Sequence, residues 1–248
     1  MRTVAIVQAR MGSTRLPGKV LMDIGGETAL CRVVRRLSRA KLIAEVAIAT
    51  TESPADDAIV SEAKRLGVRC FRGSEQDVLA RYLGAAEEFE ADVIVRITSD
   101  CPLIDAGMID DVLEKFFRDH ADFAFNAVPD RLPRGLDVEV FSRKALRDAA
   151  CLANNAYQRE HVTPIFYERR DLFEVAALAS EQDFSQYRWT LDTVQDLQLI
   201  RAIYAHFSNR DDFDWREVAA LMLRSPEMAT LNSDVVQKSM YEVAQPSS

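Results

Sequence analysis

Short apolar runs alternate with amphipathic segments along the first two-thirds of the chain. The runs are nearly continuous in apolar residues, a pattern typical of strands buried on both faces of a parallel sheet. The intervening segments repeat their apolar residues at helical spacing. The predicted order is strand Thr3–Ala9, helix Leu30–Ala40, strand Ala44–Thr50, a helix from Pro54 to Leu66, strand Val68–Phe71, helix Gln76–Phe89 and strand Ala91–Ile97.

The pattern becomes mixed beyond Ala121. Further strands are predicted at Phe123–Asn126 and Asp137–Phe141, and further helices at Arg143–Ala150, Val194–Phe207 and Trp215–Leu223. Strand–helix alternation with short connections predicts an α/β fold, in which a mostly parallel sheet is covered by helices on both faces. Because we find no internal repeat or low-complexity linker, we predict one domain over residues 1–244 and a disordered tail at 245–248.

Composition narrows the classes of function. The 248-residue chain has a formal net charge of −8, so it lacks the basic excess that neutralises nucleic-acid phosphates. Its apolar runs fall short of the roughly 20 residues that cross a bilayer, and the N-terminus lacks the features of a signal peptide. Four cysteines and three histidines are too scattered for a disulfide framework or a histidine-based metal site. We therefore expect a cytoplasmic protein with no nucleic-acid or membrane partner.

The segment Arg10–Lys19 concentrates residue types that suit phosphate. It places two arginines, a lysine, two glycines and two hydroxyls directly after a predicted buried strand. Glycines let backbone N–H groups approach phosphate oxygens, arginines bind them bidentately and lysine supplies a mobile charge. The segment differs from a Walker P-loop, because Gly12 and Gly18 are one residue too far apart and Val20 replaces the Ser or Thr that binds magnesium. The alternative is a solvated basic loop that contains turn residues.

A second polar segment, Thr98–Leu103, follows the fourth predicted strand. Because ligands of such sheets bind at the carboxyl ends of the strands, this segment and Arg10–Lys19 are predicted to meet at one edge. Asp100 would then face the phosphate loop and suit Mg²⁺, which takes one or two carboxylates plus phosphate oxygens. The alternative for Asp100 is a turn or a helix N-cap, since Cys101 and Pro102 follow it.

The segment QARMGSTRLPGKVL (8–21) resembles the opening motif of the cytidylyltransferase family that makes CMP-activated acidic sugars, which includes the CMP-KDO and CMP-sialate synthetases. The chain is most similar to the branch named for spore coat polysaccharide biosynthesis protein F. Further motifs recur in that branch's order: GSEQDVLARY (73–82), RITSDCPLI (96–104), GLDVEVF (135–141), REHVTP (159–164) and RWTLDTVQDL (188–197). The resemblance implies a Rossmann-like, three-layer α/β/α nucleotide-diphospho-sugar transferase fold and a homodimer.

The resemblance also implies roles for individual residues. The nucleotide would be bound by Ala9, Arg10, Gly12, Ser13, Arg15 and Lys19. Lys19, Arg10 and Asp100 would form the catalytic set, and Asp100 and Asp192 would bind Mg²⁺. For Asp192 the alternative is to cap the helix that begins after it. Ser99 departs from the family, whose members often have Gly there, and serine would be strained if that position required a positive φ.

Four residues are candidates for contact with the acceptor sugar. Asp137 and Glu139 alternate along a predicted strand, so both carboxylates are expected to point in one direction, toward sugar hydroxyls, a metal or solvent. The resemblance implies that Arg159 or His161 contacts the acceptor, while a structural hydrogen-bonding role is the alternative for the histidine. We interpret the acidic pairs as solvated helix residues, namely Asp56-Asp57 and Asp110-Asp111.

Together these patterns predict a nucleotidyltransferase. An acceptor sugar oxygen, expected to belong to an acidic sugar, would attack the α-phosphate of CTP and expel pyrophosphate, in the synthesis of a surface polysaccharide or glycoconjugate. One alternative is a glycosyltransferase that uses a nucleotide-sugar, although the D-x-D motif common in such enzymes is not completed at Asp100-Cys101-Pro102. A second alternative is a catalytically inactive nucleotide-binding homologue.

Overall fold

A mostly parallel sheet runs through the middle of the molecule. The computed structural model describes residues 1–126, 131–180 and 182–236. The strands are β1 (Thr3–Gln8), β2 (Asp23–Ile24), β3 (Glu27–Thr28), β4 (Glu45–Thr51), β5 (Arg69–Gly73), β6 (Val93–Thr98), β7 (Phe123–Phe125), β8 (Glu139–Ser142) and β9 (Val175–Ala177). The helices are α1 (Ala29–Leu37), α2 (Asp57–Leu66), α3 (Val78–Glu88), α4 (Ala106–Arg118), α5 (Arg143–Leu152), α6 (Ala156–His161), α7 (Pro164–Glu168), α8 (Val194–His206), α9 (Trp215–Arg224) and α10 (Pro226–Ala229).

Seven strands form the main sheet in the order β5-β4-β1-β6-β8-β7-β9. Strand β8 is antiparallel to both of its neighbours, and the other pairings in this sheet are parallel. Strands β2 and β3 form a separate two-stranded ribbon. The predicted α/β class with a mostly parallel sheet is therefore confirmed.

Helices cover both faces of this sheet. Successive β1 residues point to opposite faces, so that Val4 and Ile6 enter one hydrophobic cluster while Ala5 and Val7 enter the other. The first cluster also contains side chains of α3, α5 and α7, and the second contains side chains of α1, α2, α4, α8 and α9. The three-layer α/β/α arrangement follows, and it explains why β1 reads as a continuous apolar run.

Two sequence predictions concern the strand at Asp137–Phe141 and the C-terminal tail. Asp137 lies outside β8, which begins at Glu139, so the prediction that both residues lie on one strand is wrong. The predicted tail, residues 245–248, lies outside the described residues, and the single domain over 1–244 stays a prediction. Among the described residues, every helix is too short or too polar to cross a membrane.

Candidate functional site

The loop after β1 is folded tightly over the carboxyl edge of the sheet. The carbonyl of Met11 accepts hydrogen bonds from the N–H groups of Ser13 (3.0 Å) and Gly18 (3.2 Å). Gly18 has φ 71°, a left-handed conformation that glycine adopts without steric cost. The N–H of Met11 donates to Asp56 Oδ1 at 2.7 Å. Asp56 is buried, so its interpretation as a solvated helix residue is wrong; it anchors the loop.

Backbone donors in this loop remain available for a ligand. Within the described residues, the N–H groups of Gly12, Thr14 and Arg15 donate to no protein acceptor. The hydroxyl of Ser13, by contrast, already accepts a hydrogen bond from the N–H of Leu16 at 3.3 Å. Such N–H groups beside basic side chains form an anion-binding surface. This arrangement favours the phosphate-loop interpretation over that of a solvated basic loop.

Lys19 joins the loop to two carboxylates that are distant in sequence. Its Nζ donates to Asp100 Oδ2 at 2.8 Å and to Asp192 Oδ1 at 2.7 Å. Asp100 lies two residues past the end of β6, and Gln8 at the end of β1 pairs with Thr98 at the end of β6. The register of the parallel sheet therefore brings the two predicted segments together, as the sequence predicts.

The charges of this cluster reinforce one another. Burial lowers the pKa of Lys19, but the charges of Asp100 and Asp192 outweigh it, so the pKa is raised above its ordinary 10.5. Burial raises the pKa of Asp100, yet the Lys19 ammonium prevails and lowers that pKa below 3.8. At neutral pH the lysine is positive and Asp100 is negative. The cluster is therefore an ion pair rather than a neutral hydrogen-bonded group.

Three cationic side chains contact the carboxylate of Asp192. Besides Lys19, Arg15 approaches its Oδ2 at 3.1 Å and Arg188 donates to the same oxygen at 2.5 Å. Arg15 belongs to the phosphate loop, so Asp192 holds two loop cations in place. Asp192 thus links the loop to the segment before α8.

Neither aspartate caps a helix, although Asp100 does lie in a turn, in which the N–H of Cys101 donates to the carbonyl of Thr98 at 3.2 Å. Thr193 is the N-cap of α8, with Asp196 completing the capping box, and Asp105 is the N-cap of α4. Asp192 and Asp100 therefore lie outside the caps and pair with Lys19.

The N–H of Ser99 donates to the carbonyl of Gln8 at 3.0 Å, and Ser99 is not among the described residues with positive φ. Ser99 therefore does not have the positive φ that would strain a serine at this position.

The two carboxylates that contact Lys19 are also the candidate ligands of a metal ion. The described part of the chain contains no group of three or more His, Cys, Asp or Glu side chains arranged to hold a metal. Mg²⁺, however, commonly takes only one or two carboxylates and completes its shell with phosphate oxygens and water. Asp100 and Asp192, which both reach the same Lys19 Nζ, fit that requirement.

Arg10 lies apart from this cluster. Its guanidinium is half exposed and approaches Glu75, before α3, at 3.6 Å. The N–H of Ala9 donates to the carbonyl of Ala49 at 3.1 Å, which ties the start of the loop to β4. The structure thus places Arg10 at the outer side of the loop, facing solvent, while Lys19 and Arg15 lie inside.

Glu139 forms a second polar cluster on the sheet. It pairs with Arg96 of β6, and its Oε1 accepts hydrogen bonds from the hydroxyls of Thr163 (2.7 Å) and Tyr167 (3.4 Å). The pKa of Tyr167 is raised, by burial first and then by the charge of Glu139. Sequence reasoning missed Arg96, although an arginine within an apolar strand is a signal of a buried ion pair. Asp137 is exposed, so the two acidic residues differ in surroundings.

Arg159 and His161, which both lie in the segment after α5, have different surroundings. Arg159 donates to Asp77 Oδ2 at 2.7 Å and to the carbonyls of Ala150 and Ala153 at 3.3 and 3.5 Å. These bonds hold α6 against α3 and α5, and contact of Arg159 with an acceptor stays a prediction. His161 contacts the ring of Tyr157, and burial lowers the pKa of this histidine below 6.5, so the imidazole is neutral at pH 7.

A strained turn follows His161. Val162 has φ 69° and ψ −53°, and the N–H of Thr163 donates to the carbonyl of His161 at 2.8 Å. This is a γ-turn with positive φ, which is rare, and a β-branched residue is unfavourable there. Val162 is fully buried, so packing holds the turn in place. The turn presents the hydroxyl of Thr163 to Glu139.

Comparisons with known proteins bear on this site. A family model described as cytidylyltransferase matches residues 4–217. The chain is similar to the spore coat polysaccharide biosynthesis protein SpsF of Bacillus subtilis, at 34% identity over 235 residues, 91% of this chain and 95% of that protein. It is also similar to 3-deoxy-manno-octulosonate cytidylyltransferase of Geobacter sulfurreducens, at 36% identity over 115 residues, 46% of this chain and 44% of that protein. Among solved structures it resembles a cytidylyltransferase from Leptospira borgpetersenii, with TM-score 0.89 and 33% identity, covering 96% of this chain and 100% of that one.

Proposed function

The chain belongs to the cytidylyltransferase family, and from that membership we propose that it transfers CMP from CTP to a sugar with release of pyrophosphate. The observation that carries the proposal is the position of Lys19. Its Nζ lies between Asp100 and Asp192 beside a loop with unused backbone donors. A triphosphate needs such a concentration of donors and cations.

In the proposed reaction a hydroxyl oxygen of the acceptor attacks the α-phosphorus of CTP in line and gives up its proton to water. The bond from this phosphorus to the bridging oxygen breaks, and pyrophosphate leaves with the electron pair. Positioning and charge neutralisation dominate catalysis of this kind. Lys19 and Arg15 neutralise charge that develops on the phosphates, and the free N–H groups of Gly12, Thr14 and Arg15 bind phosphate oxygens. Arg10, at the outer side of the loop, binds the leaving pyrophosphate.

The proposed enzyme uses Mg²⁺ held by Asp100 and Asp192. Bound there, Mg²⁺ would neutralise phosphate charge as a Lewis acid. In its absence Lys19 holds the two carboxylates at hydrogen-bonding distance and lowers the pKa of Asp100. The chain thus holds both carboxylates on one cation, and Mg²⁺ would compete with Lys19 for them.

The acceptor is proposed to bind near the second polar cluster. Glu139 and the hydroxyl of Thr163 supply hydrogen-bonding groups for sugar hydroxyls, with the neutral imidazole of His161 on the adjoining turn. Arg159 is committed to Asp77 and to two carbonyls and has no proposed part in binding. Similarity to a 3-deoxy-manno-octulosonate cytidylyltransferase supports an acidic sugar as acceptor. The name of the spore coat relative supports a role in polysaccharide synthesis.

We further propose a homodimer in the cytoplasm, where CTP is available. Sedimentation of the purified protein tests the first point: a mass of twice 27.9 kDa supports the dimer, and the single-chain mass overturns it. Fractionation of the producing cell tests the second.

Pyrophosphate release tests the proposed reaction. The protein is incubated with Mg²⁺, CTP and, in turn, a panel of 3-deoxy-ulosonic acids, nonulosonic acids and neutral sugars. The proposal expects pyrophosphate and a CMP-sugar with at least one acidic sugar. CTP binding without turnover on any acceptor would favour an inactive homologue, and consumption of a nucleotide-sugar instead of CTP would favour a glycosyltransferase.

A further inference from the structure

The network around Asp192 continues into a segment beyond the family match. The family model ends at residue 217, whereas a short 3₁₀ turn at Thr230–Asn232 packs against α8. Asn232 is buried, and its Nδ2 donates to Asp196 Oδ1 at 2.8 Å and to the carbonyl of Arg188 at 2.9 Å. One side-chain amide thus joins the C-terminal segment to both residues that support Asp192.

Asp196 is the first of these supports. Its carboxylate is fully buried and accepts hydrogen bonds from the backbone N–H groups of Asp192 and Thr193, each at 2.9 Å. Arg188 Nε donates to its other oxygen at 3.1 Å. A buried carboxylate requires such partners, because an unpaired charge away from water is costly. Asp196 therefore fixes the backbone at Asp192.

Arg188 is the second support and acts on the side chain of Asp192. Its Nη2 donates to Asp192 Oδ2 at 2.5 Å, while the other oxygen of Asp192 receives Lys19. Asn232 binds the carbonyl of Arg188 and thereby restrains its backbone. Backbone and side chain of Asp192 are thus both held by residues that Asn232 contacts.

We propose that Asn232 is a positioning residue for Asp192, acting through Asp196 and Arg188. The inference rests on the proposed function, in which Asp192 is a Mg²⁺ ligand. Residues that orient metal ligands commonly contribute 10–100-fold to metal affinity. Loss of the Asn232 amide removes one donor from Asp196 Oδ1 and one from the Arg188 carbonyl. We therefore expect Asp192 to lose its fixed orientation while the backbone hydrogen bonds that fold the loop after β1 are kept.

Calorimetry of CTP binding with Mg²⁺ and with EDTA tests this role. The variants are Asn232→Ala, which removes the amide, and Asn232→Asp, which keeps the shape but places an acceptor against Asp196 and the Arg188 carbonyl. Ser233→Ala, at the exposed neighbour, is the matched control. In both Asn232 variants we expect the dissociation constant for CTP in Mg²⁺ to rise about tenfold and the value in EDTA to change less than about twofold.

The outcomes separate this inference from the proposed function. A merely structural role for Asn232 predicts either no change or an equal change with and without Mg²⁺, and either result in a folded variant would overturn the inference alone. Wild-type protein that fails to bind CTP in Mg²⁺ would overturn the proposed function and the inference with it. Circular dichroism and the melting temperature show whether each variant is folded, and if Asn232→Asp is not, Asn232→Ala decides.

Discussion

The two polar clusters of the molecule differ in how they are assembled. The cluster around Lys19 draws its carboxylates from segments that follow β6 and precede α8, and they meet at the carboxyl edge of the sheet. The cluster around Glu139 lies on the sheet itself, where the carboxylate pairs with Arg96 of the neighbouring strand and with hydroxyls of the segment after α6. The first is an ion-pair network open to a ligand; the second is an ion pair set among core aromatics.

This difference bears on the roles that we propose for the two regions. In the loop that contains Lys19, the N–H groups of Gly12, Thr14 and Arg15 have no protein acceptor among the described residues, so they are available to a ligand. In the second region, Arg159 has three protein acceptors and Glu139 has three donors. We infer that substitutions in the first region act mainly on turnover, whereas those in the second act on acceptor binding and on stability.

Replacement of Lys19 gives the largest expected effect. Lys19→Met removes the cation that meets both carboxylates and the developing phosphate charge, so we expect kcat/KM for CTP to fall about 10²–10³-fold. Lys144→Met, at an exposed lysine of α5, is the matched control and should retain activity. A loss of less than about tenfold in Lys19→Met, measured by pyrophosphate release, would argue against a central role.

Replacement of Glu139 tests the acceptor cluster. Glu139→Gln keeps the shape of the side chain but removes the negative charge, which pairs with Arg96 and faces the hydroxyl of Thr163. We therefore expect KM for the acceptor to rise about tenfold. KM for CTP should stay unchanged, and the melting temperature should fall, because Arg96 loses its partner. Glu88→Gln, at an exposed carboxylate of α3, serves as the control. An unchanged acceptor KM in the folded Glu139 variant would remove Glu139 from the proposed binding site.

Replacement of Arg159 distinguishes a structural role from a binding role within the second region. Arg159→Ala should lower the free energy of unfolding by about 1 kcal/mol, since it breaks a partly exposed ion pair and two bonds to carbonyls. Both KM values should remain near wild type, as measured by steady-state kinetics beside urea denaturation. A large rise in acceptor KM without loss of stability would restore the binding role that the family resemblance implies.

The pH dependence of stability gives the smallest expected effect. The pKa of Asp100 is lowered in the folded state, so its contribution is present above pH 3.8 and is lost as pH falls through the lower folded value. The pKa of Lys19 is raised, so its contribution is present below pH 10.5 and is lost as pH rises through the higher folded value. Asp100→Asn should therefore melt with a flatter acid limb than wild type. Equal acid limbs, measured from melting temperatures, would contradict the coupling.

The sequence predicted the first region better than the second for a physical reason. The segments that contain Lys19 and Asp100 follow strand ends, and the parallel register places strand ends at a common edge, so these two residues could be placed together without side-chain detail. Asp192 required the family resemblance, because its segment follows no strand of the apolar pattern. The roles of Arg159 and Asp56 depend on which partner each finds across the fold, and residue spacing carries no signal of that choice. The buried Asp196 had a local signal, since Thr193 three residues earlier forms a capping pattern, but its contact with Asn232 had none.

Thermal stability with nucleotides tests the central claim most directly. Wild type and Lys19→Met are melted with Mg²⁺ and each of CTP, UTP, GTP and ATP. Ligand at about a hundredfold above its dissociation constant adds roughly 2.7 kcal/mol, which corresponds to about 5–10 °C for a domain of this size. We predict a shift of that size for wild type with CTP alone, and its loss in Lys19→Met. No shift with any triphosphate, or an equal shift in the folded Lys19 variant, would contradict the account.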